Sequence, residues 1–159
     1  MIRPAVTTDI PRLAQVHIQS WLETYTGLIP DDVLNDTITL ESRELQGQRT
    51  LANPRMMVFV AEVSGAVVGF CSLAVAGKHG EIYTLYLLKA HQGLGIGKQL
   101  FNSALEYAKL KGARSQTLWV LADNPSHKFY EHMGGILEDQ RTERIGKIDL
   151  LGVMYEFWL

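Results

Sequence analysis

The chain has 159 residues, 47% of them apolar and 20% charged. That length suits one domain with one core, burying roughly two thirds of its unfolded surface. A formal charge of -2 and a pI near 6.2 exclude the global basic field that draws proteins onto nucleic acid or anionic membranes, so an anionic ligand must be held by local geometry. A single cysteine, Cys71, excludes an internal disulfide framework and a multi-thiolate zinc site.

Ile2 to Val6 reads as a short strand, and Thr7-Thr8-Asp9 with Pro11 predicts a helix start. Ile10, Leu13, Ala14, Val16, His17, Trp21 and Leu22 recur at helical spacing until Gly27 and Pro30 break the pattern. Residues 31 to 51 read as one mixed helical stretch. Met57 to Val63 and Ala66 to Ala74 predict a hairpin about Ser64-Gly65. Glu81 to Leu88 is a third strand, followed by the glycine turn and a long helix with Ile96, Leu100, Phe101, Ala104, Leu105 and Ala108 on one stripe, stopped by Gly112. Gln116 to Leu121 is the next strand. Asn124 as N-cap and Pro125 as first residue open a short helix to Met133, and Ile136 to Arg144 pairs with Lys147 to Trp158 about Gly146. The order is β-α-α-β-β-β-α-β-α-β-β, one α/β domain over residues 1–159 with a mixed sheet.

Three glycines between a strand and a helix let backbone N–H groups approach a phosphate, and the helix N-terminus adds partial positive charge. Gly93-Leu94-Gly95-Ile96-Gly97-Lys98 therefore suits a pyrophosphate. The spacing rejects a Walker A loop, since Gln92 and Gln99 stand where Gly and Ser or Thr are needed. It also rejects a dinucleotide fingerprint, which needs Gly or Ala where Lys98 stands. On spacing alone, a tight strand-to-helix connection remains an alternative.

Gln92-Gly93-Leu94-Gly95-Ile96-Gly97 resembles the Gln/Arg-x-x-Gly-x-Gly/Ala element of the GNAT superfamily, the acetyl-CoA-dependent N-acetyltransferases. The strand before it resembles that family's fourth strand, Asn124 to Tyr130 resembles its Asn bulge and Phe-Tyr helix, and Ile2 to Pro30 resembles its first strand and helix. The resemblance covers nearly the whole chain. Many members carry Arg where Gln92 stands, and seven rather than six residues from Asn to Tyr. It implies a mixed, mostly antiparallel sheet of about seven strands flanked by helices. The implied activity is transfer of an acetyl group from acetyl-CoA to a primary amine by direct attack in a ternary complex.

The resemblance also implies roles. The amides of Gly93, Leu94, Gly95, Ile96, Gly97 and Lys98, with Gln92, hold the pyrophosphate; the Leu87 N–H polarises the acetyl carbonyl; Asn124 and Lys128 are secondary coenzyme contacts. Tyr130 is the expected acid, since a phenol with pKa near 10 is protonated at neutral pH and can donate to a departing thiolate. Helical packing of Phe129-Tyr130 is the alternative. Glu81 is the expected base, on a period-2 face with Tyr83, Leu85 and Leu87; Glu23 and His17 are reserves. Trp21, Glu23 and Tyr25 are expected to receive the amine as an aromatic wall and a carboxylate.

A small amine is the expected acceptor, with a protein N-terminus or lysine as second choice. The absence of an acidic trough in the sequence weighs against a polyamine. The histidine spacing gives no metal site. No nucleic-acid or membrane partner is expected, and the N-terminus reads as that of a cytoplasmic protein. Val153 to Leu159 reads as a core strand or a dimer edge. Two rivals remain: a noncatalytic acyl-CoA sensor on the same scaffold, and a nucleotide or phosphotransfer domain.

Overall fold

The computed structural model describes residues 1–159. β1 (Ile2–Pro4) is followed by α1 (Ile10–Tyr25), α2 (Asp31–Thr37) and α3 (Leu40–Ala52), then β2 (Met56–Val63), β3 (Ala66–Ala76) and β4 (His79–Leu87). After these come α4 (Ile96–Leu110), β5 (Ser115–Leu121), α5 (His127–His132), β6 (Ile136–Ile145) and β7 (Ile148–Trp158). The stretch read as one helix over residues 31 to 51 is two. Thr39 Oγ1 accepts from the Ser42 N–H while Ser42 Oγ accepts from the Thr39 N–H, a reciprocal cap that starts a new helix and ends the old one.

One seven-stranded sheet runs in the order β1-β2-β3-β4-β5-β7-β6. All neighbours are antiparallel except β4 and β5. Ser64 and Gly65 both adopt positive φ, 50° and 79°, the two-residue turn expected of the β2–β3 hairpin. The Val153–Trp158 run forms the inner strand β7, between β5 and β6, rather than an edge. No helix is long and apolar enough to cross a membrane.

Two cores result. The larger packs α4, through Leu100, Phe101, Ala104 and Ala108, and α1, through Leu13 and Val16, against β2 to β5, with Cys71 fully buried inside. The smaller gathers Trp21, Tyr25, Ile29, Val33, Leu34 and Leu121, with Ile145, Ile148 and Leu150 of the last hairpin against it. Lys147 on the hairpin tip pairs with Asp32 of α2. At the other end Asp9, 8% exposed, accepts from the Val6 N–H and from Nη1 and Nη2 of Arg3, tying β1 to α1.

β4 contains a bulge. Thr84 opposes Ser72 and Ile82 opposes Leu73, so Tyr83 has no partner on β3. A bulge advances the strand by one residue and exchanges its faces. Before it, a Cβ on Gly80 would meet Ala108 of α4; after it, Leu87 lies against Gly97 of α4. Even positions therefore face α4 before the bulge and odd positions after it.

Candidate active site

The site begins where β4 and β5 part. Their parallel pairing runs from His79↔Ser115 only to Ile82↔Leu118, so the rest of β4 has no neighbour on that side. The Leu88 N–H donates to Val68 O at 3.0 Å, and opposed residues in an antiparallel ladder alternate between bonded and non-bonded pairs. Leu87, opposite Gly69, and Leu85, opposite Cys71, are non-bonded positions. Their N–H groups consequently point away from β3 into the gap. A slot with two inward-facing amides is the consequence.

The slot leads to the glycine turn. Gly93 and Gly95 hold φ of 77° and 83°, left-handed values that glycine adopts without Cβ strain. None of the amides from Gly93 to Lys98 donates to a backbone or side-chain acceptor; the first intrahelical bond here is Gln99 N–H to Gly95 O. Six successive unspent donors at a helix N-terminus form an anion cradle. Gln92 serves another purpose: its Nε2 donates to Leu87 O at 3.0 Å, closing the corner between strand and turn. Leu94 and Ile96 contribute main chain alone, for neither side chain lines the cleft.

Around slot and cradle lies a cleft of about 770 Å³. Leu85, Leu87, Phe129 and Tyr130 form its inner wall, with Lys89 and Lys98 at the rim; neither lysine belongs to an ion pair. Tyr130, 6% exposed, is set by α5 against Phe129 and Tyr155, at centroid distances of 5.4 and 6.0 Å. Burial holds its phenol well above the usual tyrosine range, so it stays protonated. Lys128, two residues before Tyr130, is exposed and does not line the cleft.

Asn124 does not cap a helix at Pro125; α5 starts two residues later, at His127. Asn124 Oδ1 instead accepts from the Ser126 N–H at 2.9 Å, a local turn, and its Nδ2 donates to the Tyr25 hydroxyl at 2.9 Å, across to the end of α1. The side-chain turn competes with the capping geometry that the Asn-Pro pair suggests. No cluster of three or more His, Cys, Asp or Glu is close enough to hold a metal ion.

The family model described as "Acetyltransferase (GNAT) family" matches residues 17–135. The chain belongs to the GNAT acetyltransferase family. It is 36% identical over 136 residues to the uncharacterized N-acetyltransferase YuaI of Bacillus subtilis, covering 82% of this chain and 76% of that protein. To the spermidine N(1)-acetyltransferase of Thermoplasma acidophilum it is 27% identical over 143 residues, covering 87% and 89%. The crystal structure of PaiA N-acetyltransferase from Thermoplasma acidophilum in complex with coenzyme A superposes with a TM-score of 0.77 at 23% identity, covering 100% and 98%. The chain is thus an acyltransferase that uses acetyl-CoA.

Of the residues expected to act in a GNAT enzyme, the fold brings Leu87, Gln92, the glycine turn, Lys98, Asn124, Tyr130 and Glu23 to one cleft. Glu23 Oε2 accepts from the Lys89 N–H at 2.9 Å, bracing α1 against the end of β4. Trp21 and Tyr25 are not an aromatic wall: they are 8% and 5% exposed, lie 4.5 Å apart in the smaller core, and neither lines the cleft. Glu81 does not share a face with Leu85 and Leu87, because the bulge at Tyr83 intervenes; it stands with Tyr83, whose phenol it pushes up, on the opposite face. His17 lies behind the sheet as well, stacked 4.3 Å from Tyr86, and burial, then the charge of Arg43, pushes it down to about 4. Leu85, Lys89, Ser126, His132 and Met133 also line the cleft. Leu85 was within reach of a strand-period argument; Lys89 carries no local signal.

Proposed function

We propose that the chain transfers an acetyl group from acetyl-CoA to the primary amine of a small molecule by direct attack in a ternary complex. The observation that carries this reading is the run of unspent amides from Gly93 to Lys98 at the foot of a slot lined by Leu85, Leu87 and Tyr130. The cradle receives the pyrophosphate, with Lys98 and Lys89 supplying charge. The thiol-bearing arm runs along β4 from there toward the point where β4 and β5 join. Leu87 then meets the arm, and the deeper Leu85 N–H meets the acetyl carbonyl, where such a donor lowers the barrier by about 3 kcal/mol.

With coenzyme on the α4 side of the slot, the amine approaches from the other face. Glu23 draws the ammonium to the mouth, and Glu81, two residues before the bulge, takes its proton through water. The nitrogen lone pair forms the C–N bond, the carbonyl oxygen collects charge at the β4 amides, and the C–S bond breaks with its electrons on sulfur. Tyr130 then protonates the thiolate, the new amide nitrogen gives up its second proton to water, and the tyrosine is reprotonated from solvent. The likeness to a spermidine N(1)-acetyltransferase over most of both chains supports a small amine over a protein acceptor.

The test is a panel of amines with free-thiol detection, run on the wild type and Tyr130→Phe. Phe keeps the ring packing, so we expect kcat to fall about 100-fold or more with CoA affinity unchanged. Unchanged kcat removes Tyr130 from the reaction. Acetyl-CoA binding without thiol release on any amine favours a sensor, and stabilisation by ATP rather than acetyl-CoA favours a nucleotide domain.

A further inference from the structure

A second, smaller cavity of about 40 Å³ lies on the sheet face opposite the coenzyme cleft, between α1, α3 and strands β2 to β4, and shares no wall residue with that cleft. Its volume corresponds to about three waters or one carboxylate. The floor and sides are apolar, from Leu13, Ala14, Leu51, Val58 and Phe70. Its polar side chains are His17, Arg43, Gln46, Thr50, Ser72 and Thr84, of which Arg43 alone is charged and only a donor.

Arg43 forms part of the wall. Nη1 donates to Gln46 Oε1 and Nε to Ser42 Oγ, leaving Nη2 without a partner. None of the five ion pairs includes Arg43, and no Asp or Glu lines the cavity. His17, 7% exposed, stacks on Tyr86 and faces the cavity with neither ring nitrogen bonded to another group of the protein. Ser72 Oγ and Thr84 Oγ1 lie 2.5 Å apart, and Thr84 Oγ1 also accepts from the Ser72 N–H. Two hydroxyls that share one hydrogen bond leave one hydroxyl proton unspent, whichever donates.

A guanidinium without a counter-ion, an imidazole N–H and a spare hydroxyl proton therefore meet in an apolar-walled space. Arg43 Nη2, the His17 ring and the spare hydroxyl proton have no acceptor on the protein, so an oxygen anion entering this space meets all three. We propose that this cavity binds a small carboxylate, its oxygens on Arg43 and the Ser72–Thr84 pair, the His17 N–H beside them, and its short aliphatic body against Leu13, Val58 and Phe70. A planar two-oxygen anion fits the fork of an arginine better than a halide does. The carboxylate belongs either to a free acid or to an amine acceptor reaching over β4 toward the slot.

Sodium propionate against sodium chloride at equal ionic strength, without coenzyme, tests the site by thermal unfolding. Wild type is expected to gain about 3 °C with propionate over chloride, and Arg43→Gln, on a solvent-facing helix, to gain nothing. An equal gain in both proteins, or none in wild type, overturns the proposal. As a second readout, the His17 ring resonances should move with propionate in the wild type; resonances that stay fixed overturn it independently of the variant. Steady-state kinetics with β-alanine and its amide then assign the source of the carboxylate. Arg43→Gln raises KM for β-alanine alone, by about tenfold, if the carboxylate is the acceptor's own, and alters neither KM if it is a free acid. Since binding is read without turnover, failure of this site and failure of the acetyl-transfer reading are separate results.

Discussion

Replacing Gly95 by alanine separates a phosphate cradle from a mere tight turn, and Gly112 supplies the control. Both glycines have left-handed φ, +83° and +91°, and a Cβ built on either meets nothing within 4 Å. Steric clash is therefore absent, and each substitution costs only the backbone strain of a non-glycine residue, about 1–2 kcal/mol. For a chain of this size that lowers Tm by roughly 3–6 °C in each variant. Gly112 closes α4 far from the cleft, so Gly112→Ala should stop there. At Gly95 the strain relaxes by turning the adjoining peptide planes, and with them the amides of Gly95 and Ile96. Losing one hydrogen bond to a charged oxygen costs about 1.5–3 kcal/mol, which is about 10- to 100-fold in Kd. Calorimetric titration with CoA measures it. If Gly95→Ala binds CoA within twofold of Gly112→Ala at matched loss of stability, the cradle argument is refuted.

Gly69→Ala should destabilise the core, because its Cβ would lie 2.7 Å from the Tyr86 carbonyl and 2.9 Å from Leu87 Cδ1; an overpacking cost of about 2 kcal/mol is checked by urea unfolding. Tyr25→Phe removes the acceptor of Asn124 Nδ2 and loosens the turn that leads into α5. We expect kcat to fall several-fold with CoA affinity kept, and additive effects of Tyr25→Phe and Asn124→Ala would show that the bond does not position Tyr130. His17, pushed down to about 4 from 6.5, stays neutral in the folded chain while the unfolded chain binds a proton below pH 6.5. Stability is thus full above about pH 6.5 and declines toward pH 4 by about 3 kcal/mol at most; His17→Asn should flatten that part of the pH profile.

The glycine turn was legible from residues 92 to 98 because phosphate binding by main chain needs only a local pattern: glycines at left-handed positions, then a helix. The strands, the long helix and the Ser64-Gly65 turn were legible for the same reason, their causes lying within a few residues. Tyr130 is legible only through its likeness to a known motif, since packing and acid catalysis demand the same ring at the same spacing. Tertiary structure decided the rest. The bulge at Tyr83 arises from how β3 and β4 align, and one residue of slippage sent Glu81 to the face opposite Leu85, against strand periodicity. Trp21 and Tyr25 became core because α2 and the last hairpin, residues far along the chain, cover them. The Tyr25–Asn124 hydrogen bond spans 99 positions. Pairings of that kind depend on which surfaces the sheet brings together, and no local periodicity encodes them.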